Sequence, residues 1–96
     1  MLPIGAVENA IRLLLKRYHA EYALLIGSYA RGDATADSDI DVVVFGGSGF
    51  RKPDIFAFAE DLRAMTGKDV DAFEICEVDV GSSFYESVMR EGRRIA

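Results

Sequence analysis

A chain of 96 residues, half of them hydrophobic and 28% charged, is enough for one domain near the small end of what folds around a core, and its balance is not that of a disordered tail. Eleven basic against sixteen acidic residues give a net charge of −5, which argues against direct DNA binding, because general affinity for nucleic acid rests on neutralising phosphates with Lys and Arg. Runs such as Leu13–Leu15 and Val42–Phe45 fall short of the ~20 apolar residues of a membrane span, no basic-then-apolar leader opens the chain, and the one cysteine, Cys76, cannot pair internally, so a single cytoplasmic domain over residues 1–96 is expected.

Ile4, Val7, Ile11, Leu14, Leu15 and Tyr18 recur at three- and four-residue intervals, which predicts an amphipathic helix over about 4–19. His19 falls at its end, where a partly positive imidazole suits the helix dipole and no catalytic partner is in view. Tyr22–Ile26 reads as a short buried strand bounded by Gly27. A turn at Gly27 then opens a short helix at Ser28, whose hydroxyl and free backbone N–H groups can cap the helix, hold a phosphate, or do both. Tyr29 is expected to pack.

Ile40–Phe45, apolar and β-branched almost throughout, reads as a central strand covered on both faces. Gly46-Gly47-Ser48-Gly49 lacks the Lys-Ser/Thr ending of a Walker loop and is expected to be a connector. Asp54 is placed to cap a helix in which Ile55, Phe58, Ala59, Leu62 and Met65 share a face, with Gly67 as its stop. Val70–Ile75 is the next strand, followed by Cys76 as a small core residue. Ser83-Phe84-Tyr85-Glu86 has capping-box spacing and opens a last helix to about residue 91. Arg90, Arg93 and Arg94 read as a solvated helix end, or as charge for an acidic partner or a phosphate. The order predicts an α/β fold: a small mixed sheet of about three strands flanked by helices, in which the helix-length connection makes the second and third strands parallel and the short motif loop allows the first two to pair antiparallel.

The chemistry gathers in Gly27–Asp41. Asp39 and Asp41 alternate along a strand, so they project to one side about 6.5 to 7 Å apart. Magnesium takes oxygen ligands and is commonly held by one or two carboxylates plus substrate phosphates, so such a pair suffices. Asp33, Asp37, Asp39 and Asp41 lie within nine residues, and no Lys or Arg occurs between Arg31 and Arg51. Taken alone, Asp-x-Asp is more often a solvated turn. Joined to Gly27-Ser28 and to the apolar strand behind it, the pair would be costly to bury without a cation, and metal-assisted phosphate chemistry follows.

Gly27-Ser28-Tyr29-Ala30-Arg31-Gly32 followed by Ser38-Asp39-Ile40-Asp41 resembles the nucleotidyltransferases of the DNA polymerase β superfamily, and most closely the minimal nucleotidyltransferase (MNT) domain, the antitoxin half of HEPN/MNT toxin–antitoxin pairs. The likeness runs from about Glu21 to the end. It implies a polymerase β palm-like fold and a third carboxylate on a neighbouring strand. Asp69, Asp71 and Glu74 are the candidates; Asp71, in Val70-Asp71-Ala72, matches the family's apolar-Asp-apolar signature, and Asp69 would serve if the register differed.

By the same resemblance, Asp39 and Asp41 with Asp71 hold two Mg²⁺ ions, Asp71 either contacting a metal or taking the proton from the attacking hydroxyl; ATP is the co-substrate, and Gly27 and Ser28 hold its outgoing phosphates. Arg31 either pairs with a motif aspartate or reaches a phosphate. Relatives that modify antibiotics or tRNA carry a further domain for the acceptor. The implied acceptor here is therefore a protein hydroxyl, typically a tyrosine of a HEPN ribonuclease toxin silenced by AMP. Two other readings stand beside it: a non-catalytic antitoxin that binds its partner stoichiometrically, and the catalytic subunit of a small-molecule nucleotidyltransferase.

Overall fold

A computed structural model describes residues 2–95. In chain order the elements are α1 (Ile4–Arg17), β1 (Tyr22–Ile26), α2 (Gly27–Arg31), β2 (Ile40–Phe45), α3 (Asp54–Thr66), β3 (Val70–Glu74), a 3-10 turn (Ile75–Glu77), α4 (Ser83–Glu91) and β4 (Arg93–Ile95). Among the described residues the strands form one mixed sheet in the order β3-β2-β1-β4. β1 and β2 run antiparallel with Ile26 opposite Asp41, while β2 and β3, joined through α3, run parallel with Asp41 opposite Asp71. That crossover is the reason for the parallel pair.

Strand alternation divides the apolar residues between two faces. Ala23, Leu25, Val42, Val44 and Val70 meet Val7, Ile11, Leu14 and Leu15 of α1 and Ile55, Phe58 and Leu62 of α3 in the main core. On the opposite face Leu24 and Val43 are buried with Val88 of α4, and Tyr22, Ile26, Phe45, Phe73 and Ile75 pack around them only partly buried.

The sheet has one strand more than expected. Arg93–Ile95 adds to the edge of β1, with Ala23 opposite Ile95, so the tail is not a solvated helix end. Three residues with one buried side chain are too short to show a period. The first helix stops at Arg17, and His19, at a φ of 59°, turns the chain toward β1. Pro53, not Asp54, occupies the cap position of α3, and the Asp54 carboxyl makes no capping bond.

Met65 does not complete the inward stripe of α3 and is 46% exposed. Arg63 and Thr66 serve the end of that helix instead: Arg63 Nη2 donates to the Val70 carbonyl at 2.9 Å and Thr66 Oγ1 to the Leu62 carbonyl at 2.7 Å. Cys76 is exposed, contrary to its assignment to the core. β3 ends at Glu74, whose carboxylate accepts from the Cys76 N–H at 2.9 Å while Glu77 accepts from the Glu74 N–H at 3.2 Å, and this reciprocal cap turns the thiol outward. Ser82, one residue before the predicted position, caps α4 by accepting from the Tyr85 N–H at 3.1 Å. No helix among the described residues is long and apolar enough to cross a membrane.

Candidate active site

β1 delivers the chain to Gly27, which has a φ of +73°, and a Cβ there would stand 2.6 Å from Asp41 Oδ2. Backbone conformation and lack of room both demand glycine. The turn opens α2 with Ile26 in the cap position and no side chain capping its first turn. Ser28 is therefore inside the helix and not its cap. Its carbonyl accepts from the N–H groups of Gly32 at 3.0 Å and Asp33 at 3.1 Å, which closes the helix on Gly32.

Asp41 enters β2 opposite Asp71 of β3. It is half-buried, and its carboxyl is pushed above the usual range first by that burial, then by the negative charge of Asp71 and Asp39 and by a proton-sharing contact with Asp71; the Arg31 charge partly opposes this. Asp39 and Asp71 are thus each brought within electrostatic reach of Asp41. Among the described residues no three His, Cys, Asp or Glu side chains close into a ready cation cage. The set still fits a hard cation: its donors are carboxylate oxygens, magnesium needs only one or two of them beside water and phosphate, and a cation would remove the crowding that raises Asp41.

The other carboxylates fall elsewhere. Asp69 sits with Asp37 and Asp39 on a separate polar depression of ≈ 190 Å³. Glu74 is 3% exposed on the helix-covered side of β3. Burial alone would raise its carboxyl, but bonds from Cys76 and from the Gly46 backbone hold it low, so it is committed to the 3-10 turn. Arg31 pairs with Asp33 at 3.4 Å, both exposed, and not with Asp39 or Asp41. The glycine-rich connector follows Phe45, which pairs with Tyr22 at the opposite end of β2 from Asp41.

Gly27, Asp41 and Asp71 form one wall of a cleft of ≈ 340 Å³, and Phe73 with Phe84, Ser87 and Glu91 of α4 forms the other. Phe73 and Phe84 meet edge to face, 5.4 Å between ring centroids. A larger hollow of ≈ 490 Å³ runs along α1 past Arg12, Leu13 and Glu21 but gathers no group of carboxylates. The cleft residues of α4 have no signal in the sequence beyond a helical period. Lys68 likewise carries no local sequence signal. Its Nζ donates to the carbonyls of Ala36 at 3.0 Å and Ser38 at 2.9 Å. The absence of a cation between Arg31 and Arg51 was the available hint that one must come from elsewhere.

The family described as "Polymerase beta, Nucleotidyltransferase" matches the chain over residues 8–96. The chain is 30% identical over 94 residues to "Putative protein adenylyltransferase MJ0604" of Methanocaldococcus jannaschii, a match spanning 92% of each protein. A solved structure described as a "putative minimal nucleotidyltransferase" superposes with a TM-score of 0.77 at 29% identity, over 93% of this chain and 89% of that one. A toxin–antitoxin crystal structure with AMP-PNP gives a TM-score of 0.79 over 93% of this chain and 72% of that one; its 24% identity speaks for the fold alone. With the match running through the glycine turn and the strands that bear the carboxylates, the chain belongs to the polymerase β nucleotidyltransferase family.

Proposed function

We propose that the protein moves AMP from ATP to a hydroxyl of a partner protein, a HEPN-type toxin that it thereby silences. The observation that carries the reading is the Asp41 carboxylate, crowded by Asp71 and Asp39 and set against the Gly27 turn. The naming of a relative as a protein adenylyltransferase supports a protein acceptor, and the partner is the one that the motif resemblance implies.

In this reading Asp39, Asp41 and Asp71 hold Mg²⁺. When bound, the cation supplies Lewis-acid polarisation of the phosphoryl oxygens and offsets the developing charge. The amides of Gly27 and Ser28 and the Ser28 hydroxyl hold the β- and γ-phosphates. Asp71, on the cleft side, takes the proton of the acceptor hydroxyl. The acceptor's hydroxyl oxygen bonds to the α-phosphorus as the bond from that phosphorus to the bridging oxygen breaks and pyrophosphate leaves. Phe73 and Phe84 keep water away from the acceptor's approach.

The test is transfer of α-labelled AMP from ATP to a HEPN-type toxin. Asp41→Asn should lower transfer by about 100-fold or more, with circular dichroism unchanged. Full transfer by the Asp39→Asn, Asp41→Asn double variant would rule the mechanism out. Neutralisation that needs one copy per toxin and no ATP would replace it with stoichiometric occlusion.

A further inference from the structure

The acidic stretch Asp33–Asp41 has no cation of its own after Arg31, yet a cation reaches it from thirty residues away in sequence. Lys68 lies between α3 and β3, just past Gly67, whose left-handed conformation (φ 70°) ends the helix. Its ammonium donates to the carbonyls of Ala36 and Ser38 and stands 5.7 Å from the centroid of the Tyr29 ring. These contacts reach two separate parts of the site. Tyr29, 2% exposed, is in α2 directly behind Gly27 and Ser28. Ala36 and Ser38 belong to the loop that delivers Asp39, and Lys68 itself is three residues before Asp71 in the segment that enters β3. Beside it the Asp69 carbonyl accepts from the Ile40 N–H at 2.9 Å, which joins the two strand starts.

We propose that Lys68 is a positioning residue that fixes the phosphate-side turn, the Asp39–Asp41 strand start and Asp71 relative to one another. The proposal rests on the nucleotidyl-transfer reading for its catalytic consequence but not for its structural one. The remaining hydrogen bonds of residues 35–38 are internal to the loop: Thr35 N–H to Ser38 Oγ at 2.8 Å, Asp37 N–H to Thr35 Oγ1 at 3.3 Å, and Ser38 N–H to the Thr35 carbonyl at 3.1 Å. Among the described residues, Lys68 makes the hydrogen bonds that tie this turn to the body of the protein. An ammonium has three donors and no acceptor. By directing them at carbonyls and an aromatic face, with no carboxylate within ion-pair distance among the described residues, it orders the loop without occupying Asp39, Asp41 or Asp71, which stay free to bind a cation.

The experiment compares wild type with Lys68→Met, which keeps an apolar stem without donors or charge, and Lys68→Arg, which keeps both. Three readouts are taken: amide hydrogen exchange across residues 35–38, Mn²⁺ binding followed by electron paramagnetic resonance, and turnover against KM for ATP. In Lys68→Met the loop amides should exchange about 10-fold faster as their local opening becomes easier. Mn²⁺ affinity should fall about 10-fold and turnover further than KM rises, as expected when reacting groups are misplaced by about an ångström. Lys68→Arg should recover most of each loss. Loop exchange and Mn²⁺ binding in Lys68→Met equal to wild type would overturn the proposal, whatever the melting temperature. Were wild type itself to bind no Mn²⁺ and transfer no AMP, the reading under Proposed function would fall, and loop exchange would still decide the role of Lys68: faster in Lys68→Met upholds it, unchanged overturns it.

Discussion

On the side of the sheet under α1 and α3, Val7, Ile11, Leu25, Val42, Val44 and Phe58 are fully buried, and the buried carboxyl on that side, Glu74, is satisfied by the 3-10 turn that follows it. On the other side Leu24, Val43 and Val88 are buried, but Phe84 remains 39% exposed and Asp41 and Asp71 stand at one end. The far end of that face carries Tyr22 stacked on Phe45, 4.4 Å between centroids, with the Arg94 guanidinium 4.1 Å from the Tyr22 ring. The same alternating strands therefore build a sealed face that stabilises the fold and an open face that tolerates charge. Where the open face does bury charge, at Asp41, the carboxyl responds by holding its proton more tightly.

The comparison is broken most forcefully from the sealed side. Phe58→Ala should cost about 3 to 5 kcal/mol in urea unfolding, because that ring has no exposure and no room to relax. Phe84→Ala, on the open side, should cost less than about 1 kcal/mol while still altering transfer, since Phe84 lines the cleft. Next in size is Gly27→Ala. A left-handed residue with a Cβ aimed at Asp41 Oδ2 should lose about 1 to 3 kcal/mol of stability, and AMP transfer should fall by about 100-fold. Wild-type transfer in Gly27→Ala would mean that the closeness of turn and carboxylate has no catalytic use.

The sealed face was readable in the sequence because its apolar residues repeat with the period of the element that carries them: Val7, Ile11, Leu14 and Leu15 in α1, and Ile55, Phe58 and Leu62 in α3. The parallel and antiparallel pairings followed from connector length. The open face was readable only where residue chemistry is rare, at Gly27-Ser28 and Asp39-x-Asp41. β4 was missed because an edge strand of three residues has no period, and Cys76 was misplaced because a side-chain cap, not hydropathy, ended β3. Lys68 and the α4 wall of the cleft were invisible for a further reason. Their roles depend on contacts across thirty residues or more, or on which side of a short helix meets a sheet, and neither leaves a local pattern.

A smaller effect with the opposite sign should come from Asp41→Asn without divalent cations. A carboxyl whose folded pKa is raised binds its proton more tightly in the native state, so stability is greatest below the unfolded pKa near 3.9 and declines as pH rises through the folded value. Asparagine removes the charge repelled by Asp71 and Asp39. The variant should therefore be more stable than wild type at neutral pH by about 1 kcal/mol or less, since solvent screens a half-buried group. The gain should shrink as pH falls through the carboxylate range. Millimolar Mg²⁺ should raise the melting temperature of wild type and not of the variant, because only a state that binds the cation is stabilised by it.

The seam between α1 and α3 supplies the matching control, with the smallest expected effect. Tyr18 OH donates to Asp61 Oδ2 at 2.5 Å, and Arg17 Nη1 approaches the same oxygen at 3.2 Å. The Tyr18 bond first, and the Arg17 contact after it, hold the Asp61 carboxyl below its usual range. A depressed pKa works the other way from a raised one: its stabilisation is complete above the unfolded pKa and is lost as pH falls through the folded value. Tyr18→Phe should therefore be less stable than wild type at pH 7, and the two should converge on acidification. Over the same interval wild type and Asp41→Asn also converge, but from the opposite side, because there the variant starts as the more stable protein. Urea melts of the three proteins between about pH 3 and 7 would set the two slopes side by side. If Tyr18→Phe and Asp41→Asn departed from wild type in the same direction as pH rises, the division between a face that gains from ionisation and one that is strained by it would not hold.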